Sequence, residues 1–339
     1  MAEPIKQMKN PKFFYELTIS SSPHAHSPVT TQTIMRDVLI ALLPALIGSI
    51  CFFGFRALMV TLVSASACVF FEWGYRKLMK KESTVYDLSA AVTGVLLAFV
   101  CPVTIPYWMI IIGDFFAIVV VKQLFGGIGK NFMNPALAAR AFMFSWPAAM
   151  SNWVKAGFEN AAGIFSTADA VTAATPLAAM HAGSMEGVNL GDLFLGNVGG
   201  CIGETSALLL LIGGAYLVIR KVISPRIPLA FIGTVAVIGL LFPQGNDAGS
   251  WMIAQVCSGG VMLGAIFMAT DYVTSPITKA GQIIFGIGCG AITMVIRYFG
   301  AYNEGVSYAI LVMNACVVLL DKVGRSKKFG APKKEAVKK

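Results

Sequence analysis

The stretch Asp169-Ala-Val-Thr172-Ala173-Ala174-Thr175-Pro176-Leu177 could do chemistry by presenting a single hydroxyl. Ala173 and Ala174 leave Thr175 sterically open. Pro176 excludes the residue before it from the helical region and favours an extended backbone there. Asp169 and Thr172 stand close enough in sequence to position an acceptor. These features suit a threonine modified by an external enzyme. On residue chemistry alone they also suit an ordinary loop entry.

A second constellation is Gly126-Gly127-Ile-Gly129-Lys130-Asn131-Phe-Met-Asn134-Pro135-Ala136. It lacks the Gly-Lys-[Ser/Thr] ending of a phosphate loop, so no nucleotide site is expected. Asn131 and Asn134 are three apart and share a face if the segment is helical. Their amides could hold the polar edge of a planar ring. Asn134 could also cap a helix whose first turn holds Pro135.

Three carboxylates fall in or beside apolar runs: Asp114, Glu204 and Asp271. An acidic side chain at membrane depth is costly and marks an ion path or an interhelical hydrogen bond. The histidines are His24, His26 and His181, too few and too scattered for a metal or haem site. The seven cysteines form no C-x-x-C pair. They read as packing residues, so neither a disulfide framework nor an iron–sulfur cluster held by this chain alone is expected.

These groups must be positioned by membrane helices. Of 339 residues, 56% are hydrophobic and 13% are charged, about half the charge of a soluble domain. Mean hydropathy is +0.73. Apolar runs predict an all-α integral membrane protein of about ten transmembrane helices, near 38–54, 57–75, 88–103, 107–124, 135–150, 196–219, 228–243, 251–269, 281–299 and 306–321. Residues 1–36 are polar, so the first run is expected to act as its own insertion signal. With both termini inside, the outer side receives only Arg56, Lys155 and Arg297 of 26 lysines and arginines, and Arg140 stays within a span. The net charge of +9 then reports topology, not nucleic-acid binding.

The halves echo each other. Gly94-Val-Leu-Leu-Ala-Phe parallels Gly260-Val-Met-Leu-Gly-Ala, Pro106 parallels Pro276, and Asn134-Pro135-Ala136 parallels Asn314-Ala315. A five-span unit, duplicated, must insert upside down. The expected organisation is a cytoplasmic segment 1–37, a five-helix repeat 38–150, an extracytoplasmic loop 151–195, an inverted repeat 196–321 and a basic cytoplasmic tail 322–339. Such repeats put functional sites at their interface. The loop carries Trp153, Phe158, Phe165 and Leu177, so it is expected to pack.

Asp169-x-x-Thr172-Ala173-Ala174-Thr175 resembles the flavinylation motif Asp-x-x-[Ser/Thr]-Gly-Ala-Thr, with Ala173 in place of the usual glycine. The Gly126–Ala136 stretch, Met268-Ala-Thr270-Asp271-Tyr-Val-Thr274-Ser-Pro276 and Gly305–Asn314 extend the likeness along nearly the whole chain. Together they resemble the family of D-type subunits of Rnf ion-translocating oxidoreductase complexes. The B-type subunit of the sodium-pumping NADH:quinone reductase is a close relative that usually has a longer N-terminal extension.

The resemblance implies FMN joined by a phosphoester to Thr175, with Asp169, Thr172 and Pro176 as its motif and a dedicated flavin transferase as its maturation enzyme. It implies a second, noncovalent flavin such as riboflavin near Asn131 and Asn134. It further implies a subunit in the cytoplasmic membrane that relays electrons between ferredoxin and NAD and couples them to Na+ or H+. The ferredoxin and NAD sites would lie on partner subunits. Asp114, Glu204 and Asp271 are the candidate ion-path residues. The competing reading, from the repeat alone, is a stand-alone transporter or channel.

Overall fold

Short polar or glycine-rich breaks divide the apolar sequence into helices, and the breaks decide the architecture more than the helices do. A computed structural model describes residues 29–157, 163–165, 174–183, 185, 187–204, 206–245 and 247–324. The described elements are helical: α1 (Thr31–Phe53), α2 (Phe55–Leu78), α3 (Ser89–Phe99), α4 (Tyr107–Phe115) with a π-helical continuation (Phe116–Gln123), and α5 (Pro135–Met143). Three short helices follow, α6 (Pro147–Met150), α7 (Pro176–His181) and α8 (Leu190–Leu195). Then come α9 (Ala207–Ile219), α10 (Arg226–Leu241), α11 (Ala248–Cys257), α12 (Val261–Leu263) with a π-helical turn (Gly264–Met268), α13 (Lys279–Phe299) and α14 (Val306–Leu320).

Among the described residues, α1, α2 and α13 are long and apolar enough to cross a membrane alone. The α11–α12 pair with its π turn passes only as a unit bent by 60°. Several expected spans are therefore shorter than the apolar runs suggested. Span 88–103 is helical only as α3, and its 11 residues reach about 16 Å, roughly half of a ~30 Å hydrocarbon layer. Span 135–150 breaks after Met143, and span 196–219 becomes helical only at Ala207. The causes are local. Pro102 and Pro106 end α3 and open α4, Gly196 adopts a left-handed backbone, and Ser206 caps α9 by accepting from Leu209 N.

Broken backbone at membrane depth needs partners inside the protein. The segment after α3 and the one before α9 supply them to each other. Ile202 N donates to Cys101 O at 3.0 Å and Gly203 N to Phe99 O at 2.9 Å. Arg56, buried near the start of α2, donates Nε to Val103 O at 2.7 Å and Nη2 to Ile105 O at 3.1 Å. Gly203 is required here, because a Cβ would sit 2.3 Å from the Phe99 ring.

The helices pack in recurring pairs. α1 lies against α9, α2 against α3 and α4, α10 against α11 and α13, and α5 against α14. Gly286 and Gly290, one turn apart on α13, let its backbone meet Ile227 O and Phe231 O of α10, the close approach that small residues allow in membrane bundles. Asp37 of α1 receives Arg220 Nη2 at 3.1 Å and Tyr216 Oη at 3.4 Å from the α9 end.

Candidate functional site

Thr175 sits at a cavity. It is extended (φ −74°, ψ 150°) as Pro176 demands, and it caps α7 by accepting from Ala178 N at 3.2 Å. The loop-entry reading of this threonine therefore holds. It does not exclude a second role, because Thr175 also lines a cavity of about 330 Å³. Asp169, Thr172 and Ala173 lie outside the described residues.

The cavity wall is aromatic, with Phe144, Trp153 and Tyr302, and Phe144, Tyr302 and Tyr308 form one ring cluster with centroids 5.6–6.3 Å apart. Its floor is charged. Arg140 of α5 donates Nη2 to Glu304 Oε2 at 2.7 Å and Nη1 to Ser307 Oγ at 2.8 Å, and reaches Glu204 Oε1 at 3.4 Å. Arg297 of α13 lies nearby and donates to Gln255 O, Gln255 Oε1 and Ser258 O. Burial works against the charge of Glu304. The Arg140 and Arg297 guanidinium groups outweigh it and hold the carboxyl below its ordinary range.

Cys201, Glu204 and Glu304 converge as a metal site would. Arg140, 3.7 Å from Cys201 Sγ, is already the cation among them. All seven cysteines are free.

Packing of the 151–195 loop is partial. Leu177 is buried and Trp153 half-buried, but Phe165 is 89% exposed. Phe158 lies outside the described residues. Arg56 Nη1 holds the carbonyls of Gly163 and Ile164 at 3.1 and 2.9 Å. His181 Nε2 meets Gly300 O at 3.0 Å, which ties α7 to the α13–α14 turn.

A second cavity, of about 100 Å³, brings together Asn131, Asn134 and Asp271 with Lys122 and Ser89. Asn134 caps α5, accepting from Ala136 N at 3.0 Å and Leu137 N at 3.3 Å, and gives an amide hydrogen to Met268 O. Its oxygen is thereby spent on the backbone. Asn131 uses one amide hydrogen on Met133 O at 3.2 Å and keeps its oxygen for other partners. Asp271 binds Val273 N and Thr274 Oγ1, and burial pushes its carboxyl above the ordinary value. With its amide set by its neighbours, Asn314 donates to Thr274 O and accepts from Asn134 N. The two asparagines that mark the halves of the sequence thus meet.

The structure does not gather the three carboxylates that the sequence suggested for ions. Glu204 faces the Thr175 cavity, Asp271 the second cavity, and Asp114 neither. Asp114 is fully buried in α4, where Ser64 Oγ lies 2.6 Å and Cys68 Sγ 3.2 Å from Oδ1. Its Oδ2 has no partner among the described residues.

Sequence reasoning missed four charged groups. Arg140 and Arg297 enter the sequence reading only as topology, and Glu304 and Glu72 do not stand out in it. Lys122, expected in a cytoplasmic loop, is buried, with Nζ 3.1 Å from Glu72 Oε2 and 2.7 Å from Ser89 Oγ. Arg56 and Arg297, expected on the outer surface, are each 3% exposed. The signal available was placement, since Arg140 and Glu72 interrupt apolar helical runs where a charge survives only with a partner.

The fold and the charged core define a polytopic helical membrane protein built around buried ion pairs and a loop-side cavity. The chain belongs to the NQR2, RnfD, RnfE family, whose profile matches residues 18–330. It is 48% identical to the D-type subunit of the Na(+)-translocating ferredoxin:NAD(+) oxidoreductase complex of Acetobacterium woodii, over 94% of this chain and 96% of that one. It is 42% identical to the D-type subunit of the proton-translocating ferredoxin:NAD(+) oxidoreductase complex of Clostridium ljungdahlii, over 92% and 96%. It is 36% identical to the D-type subunit of an ion-translocating oxidoreductase complex of Stutzerimonas stutzeri, over 89% and 92%.

Proposed function

We propose that this chain is the D-type subunit of an Rnf ferredoxin:NAD oxidoreductase and carries FMN through a phosphoester on Thr175. The observation that carries this reading is the position of Thr175 at the edge of a ~330 Å³ cavity with aromatic walls and Arg140 in its floor. The residues fit the group. Thr175 offers the hydroxyl, Phe144, Trp153 and Tyr302 offer stacking surfaces, and Arg140 keeps a buried Nε without a partner among the described residues. FMN bound there would accept and donate electrons. The protein's part is to hold the ring and set its electrostatic surroundings.

Both termini are assigned to the cytoplasm and the Thr175 loop to the far side, within reach of a flavin transferase. The burial of Arg56 and Arg297 strengthens this assignment by removing two cations from the outer surface. Two inverted five-helix units are supported by the pairing of α1 with α9 and of α5 with α14. Riboflavin is assigned to the second cavity, where Asn131 and Asp271 retain acceptor capacity. Ferredoxin and NAD would be bound by partner subunits. The coupled ion is Na+ or H+, since relatives of similar identity are named for each. Asp114 and Asp271 are the ion-path candidates, in the central and cytoplasmic parts of the bundle. Glu204 lies where ion and electron paths would meet.

The test is in-gel fluorescence of the denatured subunit. Wild type should carry a fluorescent band with one added FMN mapped to the Thr175 peptide. Thr175→Ala should lose it, and retained fluorescence sinks the assignment. A stand-alone transporter would instead purify colourless and without companion subunits.

A further inference from the structure

The floor of the Thr175 cavity holds two carboxylates that are compensated unequally. Glu304 takes the short 2.7 Å contact from Arg140 Nη2 and a backbone hydrogen bond from Gly260 N. Among the described residues, Glu204 meets the Cys201 thiol and, at the long distance of 3.4 Å, Arg140 Nη1, whose better-placed acceptor is Ser307 Oγ at 2.8 Å. Both carboxylates crowd Gly260, where a Cβ would meet Glu204 Oε1 and Glu304 Oε1 at 2.6 Å each. Neighbouring carboxylates in a buried site resist being ionised together, so one of the pair retains a proton. The geometry selects Glu204 as the protonated member, because Glu304 has the stronger donors.

Other charged or titratable groups near Glu204 do not displace this assignment. Cys201, from the same segment, has one thiol hydrogen for two acceptors, Val100 O at 3.3 Å and the Glu204 carboxyl, so it is a weaker donor than those at Glu304. Arg297, from α13, spends its Nη hydrogens on Gln255 and Ser258. Arg140, from α5, is the cation in direct contact with both carboxylates. Glu204 and Thr175 line the same cavity.

We infer that Glu204 is the proton-exchange residue of the redox group held at Thr175. The inference rests on the flavin reading of that cavity. As one electron arrives from a one-electron carrier of the complex, Glu204 breaks its carboxyl O–H bond and passes the proton to a ring nitrogen of the flavin, where an N–H bond forms. The carboxylate left behind is met by Arg140, which already lies between the two glutamates. When the electron leaves for the next carrier, Glu204 takes the proton back. The flavin ring thereby stays neutral, and the added negative charge rests on a carboxylate that Arg140 contacts directly, which avoids placing an uncompensated charge on the ring in a poorly solvated site.

The test uses the purified complex, reduced with dithionite in a stopped-flow spectrometer across a range of pH, in H2O and D2O. Wild type should show reduction of the covalent flavin that slows as pH rises through the Glu204 titration, with a solvent isotope effect. Glu204→Gln should keep its fluorescent Thr175 peptide, lose both the pH dependence and the isotope effect, and slow by roughly tenfold or more, as loss of a positioned proton donor does. Glu204→Asp, which keeps a carboxyl, should restore both signatures in part. If Glu204→Gln does not assemble, Glu204→Asp decides alone, with a displaced pH profile supporting the inference and an unchanged one overturning it. A flavin-loaded Glu204→Gln with wild-type pH dependence and isotope effect overturns it. Absence of flavin on wild-type Thr175 overturns the reading beneath it instead.

Discussion

Arg140 in α5 and Glu304 in the α13–α14 turn form a 2.7 Å ion pair between residues 164 positions apart in the chain. That contact joins the two halves of the protein at the cavity that Thr175 overlooks. The same guanidinium reaches Glu204 and Ser307, so one side chain organises the cavity floor.

Arg140→Ala should be among the most disruptive single changes. It leaves the buried Glu304 carboxylate without its 2.7 Å partner, a loss of about 3–5 kcal/mol for a broken buried pair. Thermal stability of the detergent-solubilised complex should fall steeply. Arg140→Lys should recover part of it, since an ammonium cannot reproduce the forked contact. Wild-type stability in Arg140→Ala would show that the ion pairs contribute nothing.

Glu72→Gln should destabilise the Lys122 side of the bundle, where Lys122 Nζ, Gln123 Nε2 and Thr84 Oγ1 all point at one carboxylate. The double change Glu72→Gln with Lys122→Met should be milder than Glu72→Gln alone, because removing both charges avoids an unpaired buried cation. Additive losses in a double-mutant cycle would contradict the pairing.

Gly203→Ala tests the contact between the broken segments. The added methyl would lie 2.3 Å from Phe99, and overpacking of this kind costs about 1–3 kcal/mol. The double change Gly203→Ala with Phe99→Ala should not regain wild-type stability, because the Phe99 ring also fills the core. A Gly203→Ala protein as stable as wild type would mean that the two segments can move apart.

Asn134 separates capping from ligand binding in the second cavity. Asn134→Ser keeps a cap, and Asn134→Ala should lose about 0.5–2 kcal/mol. Asn131→Ala removes no cap. If this cavity holds riboflavin, Asn131→Ala should lower the noncovalent flavin extracted per complex while leaving stability near wild type. Unchanged flavin content in Asn131→Ala would remove that residue from the site.

Asp247 gives a pH signature. It caps α11 through Gly249 N and Ser250 N. The Ser250 hydroxyl first, then those backbone groups, hold its carboxyl below the ordinary value. The folded state thus favours the charged form. The stability it adds is present above the unfolded carboxylate value of about 3.9 and is lost as pH falls through the lowered folded value. Wild type and Asp247→Asn should differ at neutral pH and converge in acid. Divergence toward acid would reverse the sign and refute the cap.

Much of the protein was legible in the sequence. Apolar run length announced a membrane bundle. Pro176 set the backbone of Thr175, and the Asn134-Pro135 pair announced a helix start. These are local consequences of side-chain type, and local physics transfers directly from sequence to structure. What only the tertiary structure decided is where the breaks fall and which charges meet. An apolar run cannot reveal that α3 stops at Phe99, because the N–H groups that donate to its freed carbonyls belong to Ile202 and Gly203, about a hundred residues away. Nor can spacing reveal that Arg140, Glu204 and Glu304 share one cavity, or that Asp114 stands apart from it. Thr175 was conspicuous from its neighbours in the chain, while the charged floor beneath it exists only once three distant segments pack together.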